Sequence, residues 1–450
     1  MTEPRPAAPS SLHRRIGHRR GGVPSRRGGV ALQRDFRLLW IGETTSALGT
    51  NITRLALPLV AVLTLHASAF QVSLLTALTW MPWLLIGLPA GAWVDRLPRK
   101  PVMLISDAVA LIALASLAIC GWLGVLTLAQ LFAAAVLIGT AGVFFQTAYQ
   151  VYLPGVVDAA HLPQANALLH GSESAAEIAG PGLAGLLTST LGAITGLAAD
   201  AGSFAVSALC LLRMRTPETT ATADAPTRSR KTRQPEDSLV RQVGEGLRFL
   251  AGDPYLRVLT VFGALSNFAL IGYQSILVVF LIRDVGAGPA QIGVLLAGMS
   301  VGGVLGALVA PTLGRRIGTA RGTLIGNLAA GPFALLIPLA APGPRLLLVV
   351  AGGIGVGVTI VSANILKTTF RQTYVPRRLL GRVIVGMQFL NYGTIPVGAV
   401  TAGALATGIG LRSTMWLMTA GVSLAALSLL LGPLKRHRDF PDHPEIHSSY

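Results

Sequence analysis

Gly91-Ala92-Trp93-Val94-Asp95-Arg96-Leu97-Pro98-Arg99-Lys100 lies between the second and third long apolar stretches of this chain, and it packs an acid, three bases and a turn-forming proline into one short loop. A weaker echo, Gly314-Arg315-Arg316-Ile317-Gly318-Thr319-Ala320-Arg321, follows about 220 residues later, again between two apolar stretches. The same unit is therefore present twice, in the same orientation. Gln150-Val151-Tyr152-Leu153-Pro154 after the fourth stretch is matched by Gln372-Thr373-Tyr374-Val375-Pro376 after the tenth, at a similar offset. Pro181 and Gly185 in the fifth find counterparts in Pro396 and Gly403 in the eleventh, although their spacing differs.

The chain has 450 residues, of which 52% are hydrophobic and only 12% charged, with a mean hydropathy of +0.61. That is too little polar surface for a soluble globule of this size. A helix crossing ~30 Å of hydrocarbon needs roughly 20 mostly apolar residues. Twelve such runs start near Leu38, Val72, Val102, Leu128, Ala165, Leu191, Arg257, Ala290, Gly322, Leu346, Arg382 and Ser413. The expected fold is an all-α membrane protein with twelve transmembrane helices in two pseudo-symmetric six-helix bundles, an architecture that belongs to transporters.

The net charge of +17 is distributed as a topology signal rather than as a nucleic-acid footprint. Basic residues crowd the N-terminal tail and then every second loop, except the loop between spans four and five. These loops carry Arg96, Arg99 and Lys100, the middle segment from Arg213 to Arg248, then Arg315, Arg316 and Arg321, then Lys367, Arg371, Arg377 and Arg378, and finally Lys435, Arg436 and Arg438. The alternate loops carry only Arg283, Arg345 and Arg412. Both termini are therefore expected in the cytoplasm, with an even number of spans in the cytoplasmic membrane. The first apolar run is too long for a signal-peptide core and lacks an A-x-A-like exit, so it is expected to remain as a span.

The expected organisation is a disordered basic cytoplasmic tail over 1–33, a first bundle over 34–212, a cytoplasmic linker over 213–252, a second bundle over 253–433 and a cytoplasmic tail over 434–450, disordered after Lys435. Late in the linker, Leu239, Val243, Leu247 and Leu250 recur at helical spacing, which predicts an amphipathic helix on the membrane surface or packed on the bundle. Cys120 and Cys210 both fall within apolar spans, where they act as small hydrophobes. No histidine constellation for a metal and no phosphate-binding loop is present, so neither a cofactor nor an enzymatic activity is expected.

These residues resemble the major facilitator superfamily, and within it the twelve-helix drug:proton antiporter branch that includes macrolide and enterobactin exporters. The resemblance covers roughly residues 34 to 433. It rests first on Gly91, Asp95, Arg96, Arg99 and Lys100, with Pro98 where the family usually has Gly. It implies that this loop is a cytoplasmic conformational latch, in which the acid engages a helix N-terminus of the other half and the bases, with Arg315 and Arg316 in the echo, join the network. A carboxylate there gains about 0.3 to 2 kcal/mol, enough to bias two nearby conformations. The second signature is Gly180-Pro181 followed by Gly185, an antiporter-type packing motif in which small residues bring helices together.

Charged groups within spans are costly and are functional candidates by default. In the first span Glu43, Ser46, Thr50 and Arg54 share one face, with Glu43 and Arg54 separated by about 16 Å of rise. In the fifth, Glu173 and Glu177 are one turn apart. Glu43, Glu177, Glu173 and, in the sixth span, Asp200 are the proton-coupling candidates, whereas Asp107 is expected to be structural. The family places helices one, four, seven and ten around the cavity, which makes Asn51, Arg54, Gln146, Asn267, Gln274 and Asn364 candidate substrate contacts, joined by Gln388, Asn391 and Tyr392 on the eleventh. That set lacks a dense charged cage, which favours an amphipathic, mostly apolar solute.

The expected activity is secondary active export of an amphipathic small molecule, by proton antiport and alternating access. The partners are the solute, protons and membrane lipid, without nucleic acid, and the chain is expected to act as a monomer. The rivals are a proton-coupled importer and a non-transporting receptor or assembly protein that keeps the fold.

Overall fold

The computed structural model describes residues 33–94, 96–158, 161–215 and 248–441. Within them the chain forms twelve long helices: α1 (Arg34–Leu59, continued by a π-helical turn, Val60–Thr64), α2 (Ala69–Val94), α3 (Arg99–Trp122), α4 (Leu128–Val156), α5 (Leu162–Leu191) and α6 (Ala193–Arg213), then α7 (Pro254–Arg283), α8 (Pro289–Ile317), α9 (Thr319–Ala334), α10 (Leu347–Tyr374), α11 (Arg377–Ile409) and α12 (Leu411–Leu427). In hydrocarbon every backbone N–H and C=O must be satisfied within the segment, and uninterrupted helices do that. Among the described residues, eleven helical segments are long and apolar enough to cross a membrane. The helix outside that set is α5, which is of the same length but carries His170, Glu173 and Glu177.

The ends are set by local chemistry. Thr127 and Gln130 form a reciprocal capping box at the start of α4, with Gln130 N donating to Thr127 Oγ1 at 3.3 Å and Thr127 N to Gln130 Oε1 at 3.0 Å. Asp253 Oδ1 accepts from Leu256 N at 2.9 Å, and Pro254 opens α7 where its missing N–H costs nothing. Single glycines, Gly192 and Gly410, join α5 to α6 and α11 to α12 at φ 90° and 88°, a left-handed conformation that a side chain disfavours.

The two sets of six helices pack alike. The pairs α1·α6, α1·α5, α2·α4, α3·α4 and α3·α6 recur as α7·α12, α7·α11, α8·α10, α9·α10 and α9·α12, so the sequence duplication is also a structural one. Between the halves α2 packs on α11 and α5 on α8.

The start of α1 and the described segment after α12 lie at one end of the molecule, the basic end, and the α1–α2, α5–α6, α7–α8 and α11–α12 connections lie at the other, the far end. Buried apolar residues divide accordingly. Phe36, Leu39, Met103, Tyr152 and Leu211 form a cluster built from the first half alone. Tyr255, Phe370, Tyr374, Met387 and Phe440 form one built from the second half alone. Towards the far end a single cluster runs through both halves, from Leu55 and Leu75 to Phe280 and Ala402. The halves therefore share a core at the far end and part towards the basic end.

The linker reading is met only at its edge, because Leu239, Val243 and Leu247 lie outside the described residues. Leu250 is buried in the second-half aromatic cluster.

Candidate functional site

The residues singled out in the sequence fall into a far-end seal, a carboxylate group in the first half and a polar cavity in the second. At the seal, Gly180 presses α5 onto α1 at Asn51, and Gly185, five residues on, meets α8, where an added Cβ would stand 2.6 Å from the Pro289 carbonyl and 2.8 Å from the Gly293 Cα. The second half repeats this. Gly398 presses α11 onto α7 at the Phe268 carbonyl, and Gly403, again five on, meets α2, where a Cβ would stand 2.8 Å from that of Ser73. The true counterparts are thus Gly180 with Gly398 and Gly185 with Gly403, each pair 218 residues apart. This corrects the pairing built on Pro181 and Pro396, and it removes the discrepancy in spacing. Arg283 Nη2 adds a hydrogen bond across the halves to the Ala67 carbonyl at 2.7 Å.

Deeper in, Tyr392 of α11 rests on two tryptophans of α2, 5.8 Å from Trp80 and 6.3 Å from Trp83 between ring centroids. Sequence reasoning named Tyr392 and missed its partners, whose spacing of three residues on α2 was the available signal.

In the first half, Glu43 is half-buried on α1, within electrostatic reach of Asp107 on α3 and Glu173 on α5. Glu173 is accessible and contacts His170 Nδ1 at 3.2 Å. One turn on, the accessible Glu177 lies in the field of Arg54 and of Glu173. Asp200 is buried and accepts from Ser203 Oγ at 2.8 Å, beside Gly49 of α1. Asp107 is 1% exposed and lies beside the buried Ser207 of α6, within reach of a side-chain hydrogen bond. A buried carboxyl is costly as an anion unless it is fully paired. Asn51 is buried too: its amide donates to the Ala47 carbonyl at 2.9 Å and its oxygen accepts from Arg54 at 3.2 Å, so it holds Arg54, whose side chain is exposed. Gln146 on α4 and Gln274 on α7 are both exposed.

In the second half, Asn267, Asn364, Gln388, Asn391 and Tyr392 line one cavity of about 320 Å³, between α7, α10 and α11. Two of the amides also fix its walls. Asn267 Nδ2 donates to the Asn391 carbonyl at 3.2 Å, and the Asn391 side chain lies against Gly263. The same cavity is lined by Lys367 and Arg371, which the sequence reading set in a loop; α10 continues to Tyr374 and carries both inside the helix. The wall of this half therefore carries two cations that the set of contacts expected from the sequence does not include.

The latch residues are only partly described. Asp95 lies outside the described residues. Among the described residues Gly91 closes no tight contact, Arg96, Arg315 and Arg316 are exposed and Arg99 is half-buried. Lys100 Nζ donates to the Met214 carbonyl at 2.9 Å, just past the end of α6, a favourable place for a cation.

Among known proteins, the family described as transmembrane secretion effector (MFS_3) matches residues 31–446. The multidrug efflux pump Tap of Mycolicibacterium fortuitum is 29% identical over 413 residues, covering 90% of this chain and 98% of Tap. The enterobactin exporter EntS of Citrobacter koseri is 26% identical over 422 residues, covering 91% and 95%. Among solved structures, a variant of the nucleoside transporter NupG superposes with a TM-score of 0.74 at 16% identity, covering 88% of this chain and 99% of that one. A bacterial homologue of the iron transporter ferroportin, in an inward-facing state, gives 0.69 at 17% identity, covering 89% and 98%.

Proposed function

Because this chain belongs to the transmembrane secretion effector family of major facilitator transporters, we propose that it exports amphipathic small molecules from the cytoplasm in exchange for protons, by alternating access. In this reading the basic end faces the cytoplasm, following the positive-inside rule, and the chain works as a monomer in the cytoplasmic membrane. The arrangement with a sealed far end and a parted basic end is then the one that takes up solute from inside.

The observation that carries the proposal is the segregation of charge. Glu43, Asp107, Glu173, Glu177 and Asp200 all belong to the first half, whereas α7 to α12 contain neither Asp nor Glu. Enclosing bare carboxylates costs several kcal/mol each. An empty carrier therefore changes face most readily when Glu43 and Glu177 are protonated, and a bound solute that satisfies them removes the same barrier. Proton and solute thus take turns, which is antiport. As solute enters from the cytoplasm, Glu43 or Glu177 releases its proton there. The halves then rock, and Asp95 with Arg96, Arg99 and Lys100 latches the cytoplasmic side. The names of Tap and EntS, an efflux pump and an exporter, support the outward direction.

The test uses everted vesicles carrying an acid-inside gradient, after a growth-inhibition panel in an efflux-deficient host has identified a solute. Adding that solute is expected to dissipate the gradient. Solute movement without proton movement would overturn the antiport reading.

A further inference from the structure

Lys367 and Arg371 stand one turn apart on α10 and face the same cavity. Like charges at that spacing repel, and charge inside a span is costly, so a fold that keeps both needs a source of negative charge. The C-terminal end of α10 offers Arg371 a partial negative charge, but no full one is found nearby. Among the described residues no carboxylate lies within 4.0 Å of either, and α7 to α12 contain no acid at all. Nor do the two side chains behave as surface anchors, which would reach outward to water. Lys367 Nζ lies 4.7 Å from the ring centroid of Phe262 on α7, and Arg371 is held by Thr368 Oγ1 at 2.9 Å and Met387 Sδ at 4.0 Å. Both cations are positioned before any solute arrives. The cavity, at about 320 Å³, suits a small organic molecule, and Asn364, Gln388 and Asn391 add hydrogen-bonding groups to its wall.

We propose that this half of the cavity is an acid-binding subsite, in which a carboxylate of the transported solute is held between Lys367 and Arg371. The proposal rests on the reading of this cavity as the solute site. It narrows the solute class to amphipathic molecules bearing a carboxylate, with any basic or donor-rich portion turned to the carboxylates of the first half. Guanidinium and ammonium together suit such a group, because the planar fork of Arg pairs with a carboxylate in two bonds while Lys adds a compact charge.

The test compares rhodamine 110, which has a free carboxylate, with rhodamine 123, its methyl ester, by fluorescence polarisation on the full-length protein in nanodiscs. The acid is expected to bind about tenfold tighter than the ester, since hydrogen bonds to charged groups are markedly stronger than neutral ones. Lys367→Gln or Arg371→Gln should bring the acid-to-ester ratio close to one, while Lys367→Arg keeps it. The proposal is overturned if the ester binds as well as the acid, if neither dye binds, or if Lys367→Gln leaves the ratio unchanged. The two readings fail separately. Acid-selective binding without proton movement in vesicles removes only the antiport, and proton-coupled flux indifferent to esterification removes only the subsite.

Discussion

Gly185 of α5 and Gly293 of α8 meet backbone to backbone, so closely that a Cβ on Gly185 would stand 2.8 Å from the Gly293 Cα. Gly403 and Ser73 make the equivalent contact on the opposite side of the same seal, again at 2.8 Å. A side chain at either glycine must separate the halves where they share a core. Gly185→Leu and Gly403→Leu are each expected to reduce transport at least tenfold at normal membrane levels, with faster hydrogen exchange in residues 69–75 and 289–293. Unchanged exchange would show that the seal lies elsewhere.

Asp107 offers a different test because it is a carboxyl buried beside the Ser207 hydroxyl, away from water. An amide of the same shape removes the cost of a buried charge. Asp107→Asn should therefore be as stable to heat as the parent protein or more so, while proton release on solute addition falls together with that of Glu43→Gln. A marked drop in Tm would instead point to a structural bond made by the carboxylate.

Tyr392 should report on the state of the carrier. Its ring links the halves through Trp80 and Trp83, and aromatic pairs of this kind contribute about 0.5–1.5 kcal/mol beyond area burial. Tyr392→Ala is expected to shift tryptophan emission to the red and to weaken solute binding several-fold. Emission unchanged from the parent protein would mean that the two tryptophans keep their environment without it.

The basic end of the second half is held by Tyr374, whose hydroxyl donates to Asp253 Oδ2 at 2.6 Å, and by Phe440, stacked on Phe370 at 4.1 Å between centroids. Tyr374→Phe is expected to cost about 1.5–3 kcal/mol, the range for hydrogen bonds to charged groups, and Phe440→Ala about 3–5 kcal/mol. Thermal unfolding in detergent followed by light scattering would measure both. Transport by molecules that remain folded should change less than stability does.

Much of this architecture is legible in the apolar runs, because hydrocarbon leaves a helix as the one self-satisfied conformation for each run. The duplication was also visible, in the charged loops and in Tyr152 and Tyr374. What misled was length. Spans of about 20 residues end α10 before Lys367, whereas the helix has 28 residues and its last turns line a cavity, where polar side chains are tolerated. The proline pairing failed for a separate reason. A close helix contact fixes where glycine must stand, as at Gly185 and Gly403, while a proline bend can shift by several residues without disturbing that contact. The burial of Asp107 beside Ser207 and the aromatic partners of Tyr392 depend on neighbours from other helices, which no local pattern announces.

The last described residues carry a practical consequence. Arg438 O accepts from the amides of Ala320 and Arg321 at 3.1 Å, and Asp439 Oδ1 from that of Thr319 at 2.8 Å, so the chain closes the start of α9 with its own far-downstream segment. A reporter or purification handle joined directly behind Pro441 would compete with this clasp, and a truncation before Arg438 would leave three amides of α9 bare. Any such fusion should be spaced by a flexible linker, or moved ahead of Arg34, to keep from loosening the second bundle.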